Sequence, residues 1–272
     1  MPILADCHMH SSFSGDSVTP MEELVQRGMQ IGLKQMCFTE HLDLDFPVSQ
    51  KHPKDTFTIP MSDYWAEFSH CREKYRGQIE LLMGVEMGLQ PHVIRENQNF
   101  LDTYSFDFVI GSCHVCGGLD PCEPSFHQGK TQREVCQTYF SSIMENIRTF
   151  GDYDVFGHLD YVLRYFPGKD SGFSFSDYWE QYDEILRALL ERGKGIEVNT
   201  GGLMKGLREP HPCMEALRRY RVLGGELLTV GSDAHTAENV GARFAQVREI
   251  LLACGYRYYT VFRERVPQWY AL

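Results

Sequence analysis

Short apolar runs alternate with longer amphipathic stretches from one end of the chain to the other. The first run, Ile3-Leu4-Ala5-Asp6-Cys7-His8, is mostly apolar and turns polar at its end, as a buried strand does on reaching a loop. The stretch after it reads as a helix. Thr19 stands at a cap position, Pro20 suits the first turn, and Glu22 and Glu23 favour the positive end. Leu24, Val25, Met29 and Ile31 then supply an apolar face that Gly32 ends. The same unit recurs, with strands predicted over 35–39, 79–85, 106–111, 154–157, 195–198 and 226–230. Helical patterns fall at 61–76, 91–104, 131–150, 176–192, 211–223 and 238–253. Strict strand-helix alternation of this kind predicts an α/β fold. Its sheet is parallel, its helices lie outside, and it curls into a closed or nearly closed (β/α)7 TIM-like barrel.

Two segments break the alternation. Residues 42–60 hold Phe46-Pro47, His52-Pro53 and Ile59-Pro60, and residues 115–130 are rich in Gly, Pro and Cys. Both read as long loops directly after strand ends, where barrel enzymes place segments that cover substrate. The aromatic tail 256–270 is expected to add a last strand or an interface patch. With no linker, repeat or low-complexity tract, residues 1–272 are read as a single domain.

A chain of 272 residues, 43% of them hydrophobic, can bury a full core. Its formal net charge of -11 argues against nucleic-acid or anionic-membrane partners and leaves a small molecule as the expected one. No apolar run approaches the roughly 18 residues of a membrane span, and no secretion signal follows Met1, so the expected location is cytoplasmic. The nine cysteines are then expected to be reduced, and the lone CxxC of Cys113 and Cys116 lacks the second pair that a zinc ribbon needs.

The chemistry is concentrated at the strand ends: His8 and His10, then His41, Glu86, His114, His158, and finally Asp233 with His235. Six of the 11 histidines fall at these exits, where chance would place roughly one. Parallel strands bring their exits to one face, so these side chains meet around one pocket. Imidazole and carboxylate together suit zinc, manganese or iron, and the absence of a cysteine among them points to a catalytic centre rather than a closed structural one. In His8-Met9-His10 the two rings share a face of the strand, and Asp233-Ala234-His235 repeats the spacing. Asp16, in the Gly- and Ser-rich loop after the first strand, adds a carboxylate. Glu86 follows the apolar Leu81-Leu82-Met83-Gly84-Val85 and needs a metal or another cation to be buried there.

On this pattern, HxH on the first strand, His and Glu on the middle strands and DxH on the last, the chain resembles the PHP (polymerase and histidinol phosphatase) family. Phe38-Thr39-Glu40-His41, Gly111-Ser112-Cys113-His114, Gly157-His158-Leu159-Asp160 and Glu197-Val198-Asn199-Thr200 resemble its histidinol-phosphatase branch. The resemblance implies a distorted seven-stranded barrel with two or three divalent ions. His8, His10, Glu86 and Asp233 would hold one ion, with Glu86 bridging to a second bound by His114 and His158. Asp16, where many members have a histidine, His41 and His235 would hold the third.

It further implies hydrolysis of L-histidinol phosphate, with a metal-bound hydroxide attacking phosphorus while the excess cationic charge neutralises the phosphoryl group. Arg164, Lys205 and Arg208 on later loops are candidate phosphate contacts or solvated surface, and Asn199 is a candidate substrate contact or turn cap. Asp6, Glu40 and Asp160 are candidates to orient the ligand histidines, whereas His52, His70, His92, His127 and His211 read as surface groups, of which His127 and His211 could reach the pocket. Competing readings are a phosphoesterase for nucleotides, a metal-dependent amidohydrolase, and a binding module with structural metals.

Overall fold

The computed structural model describes residues 1–170 and 172–272. The first half runs β1 (Ala5–Asp6), α1 (Met21–Gln30), β2 (Gln35–Leu42), α2 (Met61–Lys74), β3 (Glu80–Gly88), α3 (Ile94–Thr103), β4 (Phe108–Ser112), α4 (Pro124–His127) and α5 (Gln132–Thr149). The second half runs β5 (Val155–Phe156), α6 (Trp179–Glu191), β6 (Gly195–Asn199), α7 (Gly201–Met204), α8 (Met214–Val222), β7 (Leu228–Gly231), α9 (Phe244–Ala253), β8 (Tyr258–Arg263) and β9 (Val266–Ala271). Strands β1 to β7 form one parallel sheet in sequence order. Every residue of β2, β4 and β6 is buried, as expected of parallel strands with helices on one side and a filled barrel on the other.

The sheet curls until its first and last strands nearly meet. Cys7 N–H, just beyond β1, donates to Val230 O in β7 at 3.0 Å, and past both strands Asp233 N–H donates to His8 O at 2.8 Å and His10 N–H to Ala234 O at 2.8 Å. Gly231 permits this approach, because a Cβ there would strike the side chain of His8. The seam of the barrel therefore runs through both the His8-Met9-His10 and the Asp233-Ala234-His235 motifs.

The aromatic tail takes the first of its two expected forms, although outside the barrel wall: β8 and β9 pair as an antiparallel hairpin. Tyr259 Oη accepts from Leu4 N–H, Tyr270 Oη from Gln35, Arg263 pairs with Glu80, and Arg265 with Asp154. Since these partners lie at or just before the starts of β1, β2, β3 and β5, the hairpin covers the N-terminal mouth. Phe262 stacks on Phe108 at 5.1 Å and plugs it.

Local departures from the sequence reading have specific causes. Thr19 does not cap α1; its hydroxyl donates to His235 O at 2.9 Å, and the helix starts at Met21 with Pro20 just outside it. The last expected helix begins only at Phe244, because a short 3-10 turn at Ala237–Asn239 and a left-handed Arg243 (φ 65°) precede it. By contrast, α5 is capped as its sequence suggests: Thr131 accepts from Glu134 N–H while Glu134 accepts from Thr131 N–H. Among the described residues no helix is long and apolar enough to cross a membrane.

Candidate metal centre

Strand register brings the first two ligand candidates together. In the β2–β3 pairing His41 lies opposite Glu86, and both are inside the strands rather than beyond them. Glu86 is fully buried at the centre of the cluster. Its Oε2 lies 3.1 Å from His8 Nε2, 3.4 Å from His10 Nε2 and 3.2 Å from His41 Nδ1. Its Oε1 lies 2.9 Å from His158 Nε2 and 3.2 Å from His114 Nε2, and accepts from Ser112 Oγ at 2.6 Å. One carboxylate thus faces five imidazoles.

For three of these rings, the hydrogen bond on the outer side determines which nitrogen is free. His8 Nδ1 donates to Glu197 at 2.5 Å, and His114 Nδ1 to Asp43 at 2.7 Å. Ser14 Oγ donates to Glu40 at 2.6 Å, so it accepts from His10 Nδ1 at 3.0 Å. The inward Nε2 atoms of His8, His10 and His114 are then left with lone pairs. Those of His8 and His10 confront each other at 3.0 Å, and that of His114 faces His158 Nε2 at 3.2 Å. Neutral imidazoles cannot rest this way without a cation between or beside them, and carboxylates holding the outer N–H groups are the usual support of metal-ligating histidines. Glu86 Oε2 and His41 Nδ1, both buried, have no hydrogen-bond partner.

The electrostatics make the same demand. Burial alone would raise the pKa of Glu86, yet the surrounding His8, His114 and His41 hold it well below the usual range. Burial opposes charge on His8 too, but Glu197, Glu86 and Asp233 drive its pKa well up. The carboxylates call for positive charge that protons would otherwise have to supply, and divalent ions fit this donor set. Three-residue groups able to hold an ion include His8, His10 and Asp233; His41, Glu86 and His114; and His10, His41 and His235. Asp233 sits at a left-handed φ of 56°, a strained position for a residue with a side chain. Asp16 Oδ2 lies 3.0 Å from His235 Nε2 and 3.7 Å from His41 Nε2.

All of the ligand candidates except the fully buried His8 and His10 form the floor of a cavity of about 290 Å³, with Tyr161, Arg164 and Lys205 on its walls. The PHP domain matches residues 6–201 of the sequence. The chain belongs to the PHP family. A probable histidinol-phosphatase of Clostridium acetobutylicum is 32% identical to it, covering 98% of this chain and 99% of the relative. The histidinol-phosphatase of Lactococcus lactis is 31% identical over 94% and 93% of the two chains. The L. lactis histidinol phosphate phosphatase, whose crystal structure holds zinc, L-histidinol and phosphate, superposes with a TM-score of 0.87 at 30% identity, covering 97% of this chain and 98% of that one. The expected family and its barrel are therefore shown, and the nine ligand candidates lie together at the C-terminal end of the PHP barrel.

The substrate-contact candidates separate. Arg164 is buried on the cavity wall: its NH2 donates to Asp233 and Asn199, each at 2.9 Å, its Nε donates to His211 Nε2 at 2.9 Å, and its guanidinium lies over Tyr161. Lys205 lines the same cavity. Asn199 does not. It is fully buried below, accepting from Arg164 and Gly201 N–H and donating to Glu197, so it supports the site rather than meeting substrate. Arg208 is exposed and bonded to Asp170, on the wall of a separate cavity, because the turn after α7 carries it away.

His52 and His211 are buried, unlike the surface groups expected. His211 Nδ1 donates to Asp160, and His127 bonds Pro121 O outside the cluster. Asp160 therefore acts on His211, not on a ligand histidine, whereas Glu40 reaches His10 through Ser14 and Asp6 accepts from Ser232 N–H and Gly241 N–H to hold the loop bearing Asp233. Asp43 and Glu197 went unnoticed as partners of ligand histidines. Glu197 had a signal of its own, a carboxylate inside the apolar run Gly195-Ile196-Glu197-Val198, and Asp43 lies two residues beyond His41, on the same face.

Proposed function

We propose that this chain is a metal-dependent phosphomonoesterase that hydrolyses L-histidinol phosphate to L-histidinol and phosphate, with residues 1–272 acting as one PHP-type barrel. The observation that carries this reading is the buried Glu86 ringed by imidazoles whose free lone pairs converge. The likeness to the L. lactis enzyme with zinc, L-histidinol and phosphate adds the substrate.

In this reading His8, His10 and Asp233 hold one ion, His114 and His158 a second, and Asp16, His41 and His235 a third, with Glu86 between the first two. Zinc is the favoured metal, and manganese and iron accept the same ligands. Such ions supply a nucleophile derived from water and neutralise charge on the phosphoryl oxygens. The protein's own groups bind and orient. Arg164, fixed by Asp233, Asn199 and His211, presents a planar cation to the phosphoryl group, and Lys205 adds a second positive charge. Tyr161, stacked on His158 at 4.6 Å, restricts water on one side of the cluster.

The test is phosphate release from L-histidinol phosphate, beside nucleotide and sugar phosphates, on protein of known metal content. A strong preference for L-histidinol phosphate with two or three ions per chain is expected. Broad, weak hydrolysis by metal-loaded protein would retain the phosphatase and overturn the substrate.

A further inference from the structure

Beside the metal cluster lies a second cavity, of about 400 Å³, which shares His41, His114, Tyr161, Arg164 and Lys205 with the first. The two long loops build most of its remaining wall, with Phe46, His52 and Phe57 from the segment after β2 and Asp120 from the segment after β4, and Lys169 from beyond β5 completes it. Its size is that of a small-molecule site. The walls are aromatic, with Phe46 and Phe57 edge to face at 4.6 Å, His52 against Phe57 at 5.1 Å, and Tyr161 against Tyr165 at 5.1 Å.

Asp120 is the unusual group in this lining. It is 6% exposed and lines the second cavity without lining the first. One oxygen accepts from Cys122 N–H at 2.7 Å, but among the described residues no lysine, arginine or histidine forms an ion pair with the carboxylate. Burial raises its pKa above the usual carboxylate value, with His114 and His52 only partly opposing the shift. Asp43, by comparison, is held by His114. Glu123 and His52 place ligand atoms within 4.8 Å of an Asp120 oxygen; Glu123 deepens the negative potential there while His52 partly offsets it, and Lys51 at the margin is exposed. A buried carboxylate facing an aromatic cavity without a partner lacks a cation.

We infer that this cavity receives the alcohol portion of the substrate, and that Asp120 is the specificity-determining carboxylate that pairs with its ammonium group. The inference rests on the phosphatase reading above. The buried charge is ordered along the joined cavities, with Arg164 in the shared wall beside the cluster and Asp120 outside it; of the outer cavity's lysines, Lys51 is exposed and Lys169 donates to Arg164 O, while Lys205 and Asp16 share the wall with Arg164. An ester with a phosphoryl group at one end and an ammonium and a flat ring at the other matches that order. The aromatic walls add stacking and cation–π attraction.

The substitution D120N removes the charge but keeps an oxygen that can accept from Cys122 N–H. At pH 8, kcat/KM for L-histidinol phosphate is expected to fall roughly 10- to 100-fold, mostly through KM, while hydrolysis of the neutral-alcohol ester p-nitrophenyl phosphate stays within about twofold. D120E should recover most of the difference. Equal loss on both esters, no change on either, or one metal ion fewer per chain would overturn the assignment, the last by making the missing cation a metal.

The unaltered enzyme gives a reading that does not depend on the variants folding. L-Histidinol should inhibit p-nitrophenyl phosphate hydrolysis at least about tenfold more strongly than 3-(imidazol-4-yl)propan-1-ol, which lacks the amine; equal inhibition overturns the subsite. Absence of wild-type activity on L-histidinol phosphate would instead overturn the substrate reading. The subsite would then stand only if the enzyme prefers phosphoethanolamine to the neutral ester and D120N loses that preference.

Discussion

The two mouths of the barrel solve the problem of buried charge in opposite ways. At the N-terminal mouth each carboxylate meets a cation or a backbone donor: Arg263 binds Glu80, Arg265 binds Asp152 and Asp154, and Asp107 accepts from Met83 and Glu264 N–H. At the C-terminal mouth the carboxylates outnumber fixed cations, imidazole lone pairs oppose each other, and Glu86 Oε2 has no hydrogen bond. Charge balanced within the chain stabilises the fold, whereas charge left unbalanced creates affinity for something outside it.

The sharpest way to break this contrast is to neutralise Glu86. E86Q should lower kcat/KM for L-histidinol phosphate by at least about 1000-fold and reduce bound metal, with the far-ultraviolet circular dichroism unchanged. Chelation comes next. EDTA-treated protein should lose activity and melt several degrees lower, because ions bind the folded state alone, and zinc or manganese should restore both. A smaller effect is expected from E197Q or D43N, which leave the ligands in place but loosen a ring: metal affinity should fall roughly 10- to 100-fold by competitive chelation.

At the other mouth, R265A should cost about 1–2 kcal/mol in urea unfolding by leaving the buried Asp154 without its cation, while activity per folded molecule is unchanged. The smallest effect is reserved for R208A, whose kcat/KM should remain within about twofold, since Arg208 serves Asp170 and not the metal cavity.

Much of the ligand cluster could be read from the chain because two regularities suffice for it. Period-two geometry places His8 with His10 and Asp233 with His235, and a parallel sheet gathers the strand exits. The fold followed from alternation alone, even where β1 and β5 shrank to two residues each. What escaped notice depends on partners remote in sequence. His211 was assigned to the helical pattern 211–223 but precedes α8, which begins at Met214, and its role requires Asp160 and Arg164, 51 and 47 residues away. Thr19 has the chemistry of a cap, but the carbonyl of His235 competes for its hydroxyl across the seam. Arg208 and Asn199 were candidates on residue type and loop position, which do not reveal whether a side chain faces the cavity or a neighbour.

The seam between β1 and β7 also has a consequence for biosynthesis. His8 and His10 leave the ribosome more than 200 residues before Asp233 and the backbone of Val230 and Ala234 that fixes the first strand. Until then the N-terminal histidines are a flexible pair with only weak hold on a cation. On the proposed ligand assignment, stable metal loading must therefore wait until β7 has emerged, and a nascent chain stalled before it would be metal-poor even in a metal-replete cell.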